Sequence, residues 1–195
     1  MDSAAVAKAQ TRLAKMNEAF GRMKTGKEFS QFVGEWTDFL VAGQEIYNYL
    51  SKGSRDLPRS RQWFAQKKNE RSTDALLIYL HQARNADEHG IEPIAEHRPG
   101  HIGVGASGGT IVIHRMLINA GHVAADFTPV GGGTLNLEMV EAHAALIPVW
   151  SRGNWYHPPR HHLGTMLKAP SPVDVAELGL AYHARLVEEA QQLII

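Results

Sequence analysis

Four residues near the middle of the chain, His81, Arg84, Asn85 and His89, have types and spacing suited to chemistry. On a helix, residues four apart share a face, so His81, Asn85 and His89 line up, and Arg84 joins them through its three-residue step from His81. An imidazole can take or give a proton near neutral pH, and a guanidinium can hold a phosphate and offset its developing charge. Together they are the equipment for metal-free cleavage of an RNA phosphodiester, with the neighbouring 2′-hydroxyl as attacking group. Asp87 and Glu88 lie in the same segment, and their charge opposes a phosphate unless they point away or orient the imidazole.

The elements that must position these groups are read from hydrophobic periodicity. Leu76, Leu77, Leu80 and Ala83 form the buried stripe of a helix that Ser72 or Thr73 can cap and that Gly90 and Pro93 end, so the candidate segment occupies its last turn. Upstream, Val6, Leu13, Met16, Phe20 and Met23 predict a first helix over 3–23, and Phe29, Trp36, Leu40, Ile46 and Leu50 predict a second over 28–50 that Gly53 stops. Pro58 suits the start of a third helix with Trp63 and Phe64 facing inward. Near the end, Ser171, Pro172 and Asp174 spell a capping box, and Val175, Leu178, Tyr182, Leu186 and Leu193 give that last helix one apolar face to pack back on the body.

From Gly100 the composition changes. Glycine becomes frequent, and the runs 110–113 and 122–127 are partly β-branched, as strands are. Glycines 131 to 133 make a turn, after which 134–150 reads either as a strand, from Leu135 and Leu137, or as a helix. The expected fold class is α+β: a single compact unit over 1–195, with an antiparallel helical bundle at 1–95, a β-containing portion at 100–170 and a C-terminal helix at 171–195.

With 195 residues, 44% of them hydrophobic, the chain is long enough to bury a core. It has no cysteine, which removes disulfides, thiolate zinc sites and thiol nucleophiles and suits a reducing compartment, so a cytoplasmic location is expected. Lys8, Arg12, Lys15 and Glu18 interrupt the N-terminal apolar positions, so neither a signal peptide nor a membrane span is expected there, and no membrane partner. Basic and acidic residues balance at a net charge of +0, so any contact with nucleic acid must come from a local patch.

Arg84-Asn85, three further residues and then His89, at the end of a helix in an N-terminal helical bundle, resemble the HEPN superfamily (higher eukaryotes and prokaryotes nucleotide-binding domains) over roughly residues 1 to 95. Many members of that superfamily are metal-independent ribonucleases, often toxins or defence proteins, in which two protomers bring their Arg and His residues together. The resemblance implies Arg84 and His89 as catalytic residues, Asn85 as a positioning residue, RNA as substrate, no cofactor and no metal, a homodimer, and an antitoxin or other protein partner. A second reading is a non-catalytic HEPN-like module that binds a nucleotide, RNA or a protein. Arg152 and His157 repeat the Arg-to-His spacing in a segment broken by Gly153, Pro158 and Pro159, so the distinguishing features are Asn85 and the helix end.

Further candidates lie elsewhere. Arg152, Trp155 and Arg160 mix cations with flat rings in a proline-rich loop and, with His81, are candidate substrate-binding residues. His157, His161 and His162 cluster there too, but the loop lacks carboxylates to complete a metal site. Gly103, Gly105 and Gly108 match a dinucleotide pattern by letter, yet the following residues read as a strand, which favours a glycine turn. The basic run Arg59, Arg61, Lys67, Lys68 and Arg71 is either an RNA guide or a solvated face.

Overall fold

A computed structural model describes residues 1–26, 28–119 and 122–194, with His122 and Val123 described by backbone alone. The protein is α+β. Its helices are α1 (Ser3–Thr25), α2 (Phe29–Gly53), α3 (Pro58–Thr73), α4 (Ala75–His89) and α5 (Pro172–Gln191). Between α4 and α5 the described residues form antiparallel strand pairs in small two-stranded sheets.

Two compact units emerge, one of Met1–His97 with Ala144–Ile195 and the other of Arg98–His143. The segment 100–170 is thus divided between them. In the first unit, Arg12 pairs with Glu45 at 3.0 Å and Arg22 with Glu35 at 2.7 Å, so advancing along α1 means retreating along α2 and the two helices run antiparallel. Trp36, Phe39, Ile46, Leu50, Leu76, Val175 and Leu186 fill the core at 0–1% exposure, which is why α5 packs back as its apolar face predicts. The capping box at Ser171 and Asp174 is present in both directions. Gly53 permits a close approach at the end of α2: a Cβ there would lie 2.4 Å from that of Ala5.

The cap of α4 differs from expectation. Helix α3 continues through Thr73, and the Ser72 and Thr73 hydroxyls donate back to the Asn69 carbonyl at 2.8 and 2.9 Å. Asp74 caps instead, accepting from the Leu77 N–H at 3.0 Å.

The same carboxylate fastens the chain that returns from the strands. His162 Nδ1 donates to Asp74 Oδ1 at 3.0 Å and the Leu163 N–H to Oδ2 at 2.7 Å. Burial alone would raise the Asp74 pKa; the bonds from Leu163, His162 and Leu77 outweigh it and hold the carboxyl below its usual range. Tyr79 adds a second tether by donating to the Ile147 carbonyl at 2.8 Å. Strands β6 (His143–Leu146), β7 (Val149–Ser151), β8 (Asn154–Tyr156), β9 (His161–His162) and β10 (Thr165–Met166) carry this return, and β6 hydrogen-bonds to β1 (Ala95–Arg98).

The second unit is a β-ribbon that folds back on itself. Strands β2 (His101–Ser107) and β3 (Thr110–Asn119) form one leg, β4 (His122–Val130) and β5 (Thr134–Val140) the other, with β2 on β5 and β3 on β4, antiparallel. The register shifts once, between Ile113 and Arg115. Glycines make the joint between the two pairings: Cβ atoms on Gly109 and Gly133 would lie 2.6 Å from the Val130 oxygen and 2.4 Å from the Thr110 oxygen. The dinucleotide pattern therefore falls in a strand and a turn followed by a second strand, without the helix a pyrophosphate site needs. The stretch that read either way, 134–150, is strand wherever it is regular. No residue of this ribbon is buried among the described side chains, and Leu117, Ile118, Val130 and Met139 are each more than half exposed.

Candidate functional site

Helix α4 presents its candidate residues in two environments. At the exposed end, Arg84 Nη1 forms an ion pair with Glu88 Oε2, one helical turn on, and the same Glu88 oxygen lies 3.3 Å from His89 Nε2. The His89 side chain is 68% exposed and that of Arg84 22%. Gly90 ends the helix by donating to the Ala86 carbonyl at 2.7 Å, which leaves a basic side chain at the negative end of the helix dipole. One carboxylate thereby touches a guanidinium and an imidazole at a solvent-facing helix end.

Further in, the same helix enters a polar pocket. Asn85 is 4% exposed; its amide nitrogen donates to Gln82 Oε1 at 3.3 Å and lies 3.4 Å from His81 Nε2, and its oxygen accepts from Arg84 Nη1 at 3.4 Å. Asn85 thus makes all of these contacts within α4. His81 is half-buried, and its Nδ1 accepts from Arg71 Nη2 of α3, which also donates to Gln44 Oε1 of α2. The Arg71 guanidinium lies over the Tyr47 ring, 4.1 Å from its centroid. Burial, with the charges of Arg71, Arg152 and Arg84, pushes the His81 pKa down to about 4, so this imidazole is neutral at pH 7.

Of the four candidate substrate-binding residues, Arg152 and Trp155 share the β7–β8 hairpin, and the charge of Arg152 reaches His81. Arg152 itself is exposed. With Gly153 it forms the turn of the β7–β8 hairpin, both residues at positive φ (50° and 82°), as tight hairpin turns require. Trp155 is 59% exposed and pairs with Trp150 across that hairpin, ring centroids 5.3 Å apart. Arg160 is exposed on the following loop, and among the described residues neither Trp155 nor Arg160 bonds to His81, Arg84, Asn85 or His89.

The histidine cluster is dispersed: His162 is buried on Asp74 while His157 and His161 are exposed, and among the described residues no group of His, Asp and Glu is arranged to hold a metal ion. The basic run also divides. Lys67 is 8% exposed and pairs with Glu70 at 3.1 Å and Glu189 at 2.9 Å, Arg71 enters the pocket, and Arg59, Arg61 and Lys68 face solvent. Sequence reasoning placed Arg71 only in the basic run and did not single out Gln44 or Tyr47 as its pocket partners. A signal for Arg71 existed: Ser60, Phe64 and Lys67 are buried, and Arg71 continues their alternation of three- and four-residue steps along one face of α3.

Comparison of the chain with protein-family models, with curated proteins and with solved structures finds no match.

Proposed function

We propose that this protein is a cytoplasmic, homodimeric, metal-independent endoribonuclease of HEPN type, with Arg84, Glu88 and His89 at its reacting centre. The observation that carries the reading is the Glu88 carboxylate in contact with both Arg84 and His89 at an exposed helix end.

That contact sets the imidazole for work. When His89 donates its Nε2–H to Glu88, Nδ1 is left with a free lone pair toward solvent, ready to take the proton of an RNA 2′-hydroxyl. The 2′-oxygen then attacks phosphorus, the bond to the 5′-oxygen breaks, and that oxygen receives a proton from the His89 of a second copy. The products are a 2′,3′-cyclic phosphate and a 5′-hydroxyl. Arg84 exchanges Glu88 for the phosphate as charge builds on the non-bridging oxygens. Asn85 fixes the last turn of α4, and Arg152 and the exposed Trp155 offer contacts to phosphate and base.

A second reading, a non-catalytic HEPN-like module, is favoured by one fact: Arg84 already has an anionic partner in Glu88. Incubating labelled RNA with the purified protein in a chelator separates the two. Cleavage that depends on His89 and Arg84 supports the nuclease, and RNA binding without cleavage supports the module.

A further inference from the structure

The helical unit contains a pocket whose electrostatics are unbalanced. Gln44, Tyr47, Arg71, His81, Arg84 and His183 line it, together with apolar side chains from α1, α2 and α4. Arg71 is the informative member. Its guanidinium is half-buried, yet its partners are all neutral: the Gln44 amide oxygen, the unprotonated His81 nitrogen and the face of Tyr47. None of the ion pairs formed among the described residues includes Arg71.

The adjacent acid is committed elsewhere, because Glu70 accepts from Lys67 at 3.1 Å and from the Tyr182 hydroxyl at 3.1 Å. Taking a cation out of water without a counter-charge is costly, and the cost is visible in the downward shift that burial imposes on the Arg71 pKa. Arg84 lines the same pocket, and among the described residues its buried Nε has no hydrogen-bond partner. Arg152 adds a third positive charge acting on His81.

The geometry points to an oxyanion site, in which Arg71 and Arg84 bind one phosphate group and Gln44 and His81 hold the Arg71 fork in place. An anion there gives Arg71 its missing counter-charge and Arg84 Nε its missing acceptor, both charge-assisted bonds. The pocket has about 30 Å³ of free space, room for a water or two that phosphate oxygens can replace, and the donors around it include two guanidinium groups, which select an oxyanion. The ligand is therefore recognised by its phosphate, carried on a small phosphate ester or on an RNA backbone. A neutral His81 is part of the design, since an imidazolium would add a further cation beside Arg71. This inference concerns binding alone and stands whether or not His89 cleaves RNA.

The test is titration of the full-length protein with inorganic phosphate at constant ionic strength, with chloride as control, read by calorimetry and by the shift in melting temperature. Saturable binding to the wild type is expected, weakened about tenfold or more in Arg71→Met and in Arg84→Met, each loss being that of a charge-assisted bond. Circular dichroism verifies folding, and Arg84→Met, at the partly exposed position, serves if Arg71→Met does not fold. A short RNA with hydroxyl termini that competes with phosphate assigns the pocket to backbone phosphates; phosphate binding without such competition assigns it to small esters. No saturable binding by the wild type, or equal affinity in the folded variants, overturns the site.

Discussion

Asp74 Oδ2 accepts the backbone N–H of Leu163 at 2.7 Å, joining the first turn of α4 to a loop 89 residues further along the chain. Its Oδ1 caps α4 and also receives His162, so one carboxylate holds the site helix and the returning chain in fixed relation. Asp74→Ala should therefore cost more than an ordinary cap, about 2 kcal/mol or somewhat above, because three donors lose their acceptor. Urea denaturation measures it, with the exposed Asp56→Ala as control. Equal midpoints for the two variants contradict the tether.

Acid sensitivity follows from two histidines kept neutral by burial. His183 donates Nδ1–H to the Gly179 carbonyl at 2.7 Å, and burial foremost, aided by the charge of Arg71, lowers its pKa from 6.5 to about 4. A depressed folded-state pKa means the unfolded chain binds more protons, so the stabilisation is complete above pH 6.5 and is lost as pH falls toward 4. The loss at His183 is on the order of 3 kcal/mol. His81 shifts in the same direction and contributes less, because solvent reaches it. Urea midpoints between pH 8 and pH 4.5 should fall more steeply for the wild type than for His183→Gln; parallel curves contradict the assignment.

Among the described residues, the ribbon of 98–143 contributes nothing to the hydrophobic core, whose members lie in 1–97 and 144–195. Strands β1 and β6 hydrogen-bond to each other and so bring the ends of the ribbon together. Replacing 99–142 with a short glycine-containing turn should leave a helical unit that melts cooperatively, within a few degrees of the full chain. Loss of a cooperative transition contradicts the independence of that unit.

Much of this architecture is legible in the sequence, and the exceptions have physical reasons. The stripes of α1, α2 and α5 dominate their local patterns, so periodicity places them within a few residues, and Ser171 with Asp174 marks the start of α5. The cap of α4 slips by one or two residues because Ser72 and Thr73 satisfy the end of α3 instead. Residues 134–140 carry both a strand and a helix pattern, and only their pairing with 101–107, far away in sequence, decides between them. The pocket was hidden for a similar reason: Arg71 stands in a run of cations that resembles a solvated face, and Gln44 and Tyr47 come from another helix. Glu88 was legible as a four-residue partner of Arg84, while its contact with His89 depends on how the last turn closes.

Cleavage of a single-stranded RNA in EDTA, comparing the wild type with His89→Ala and Arg84→Ala and including the 2′-deoxy version of the substrate, is the most direct measurement. The expected result is cutting that leaves a 2′,3′-cyclic phosphate, falls about a hundredfold or more on removing His89, and is absent for the deoxy substrate. Cutting that persists in both variants, or in the deoxy substrate, or a wild type that binds RNA and leaves it intact, contradicts the assignment of Arg84, Glu88 and His89 as a nuclease centre.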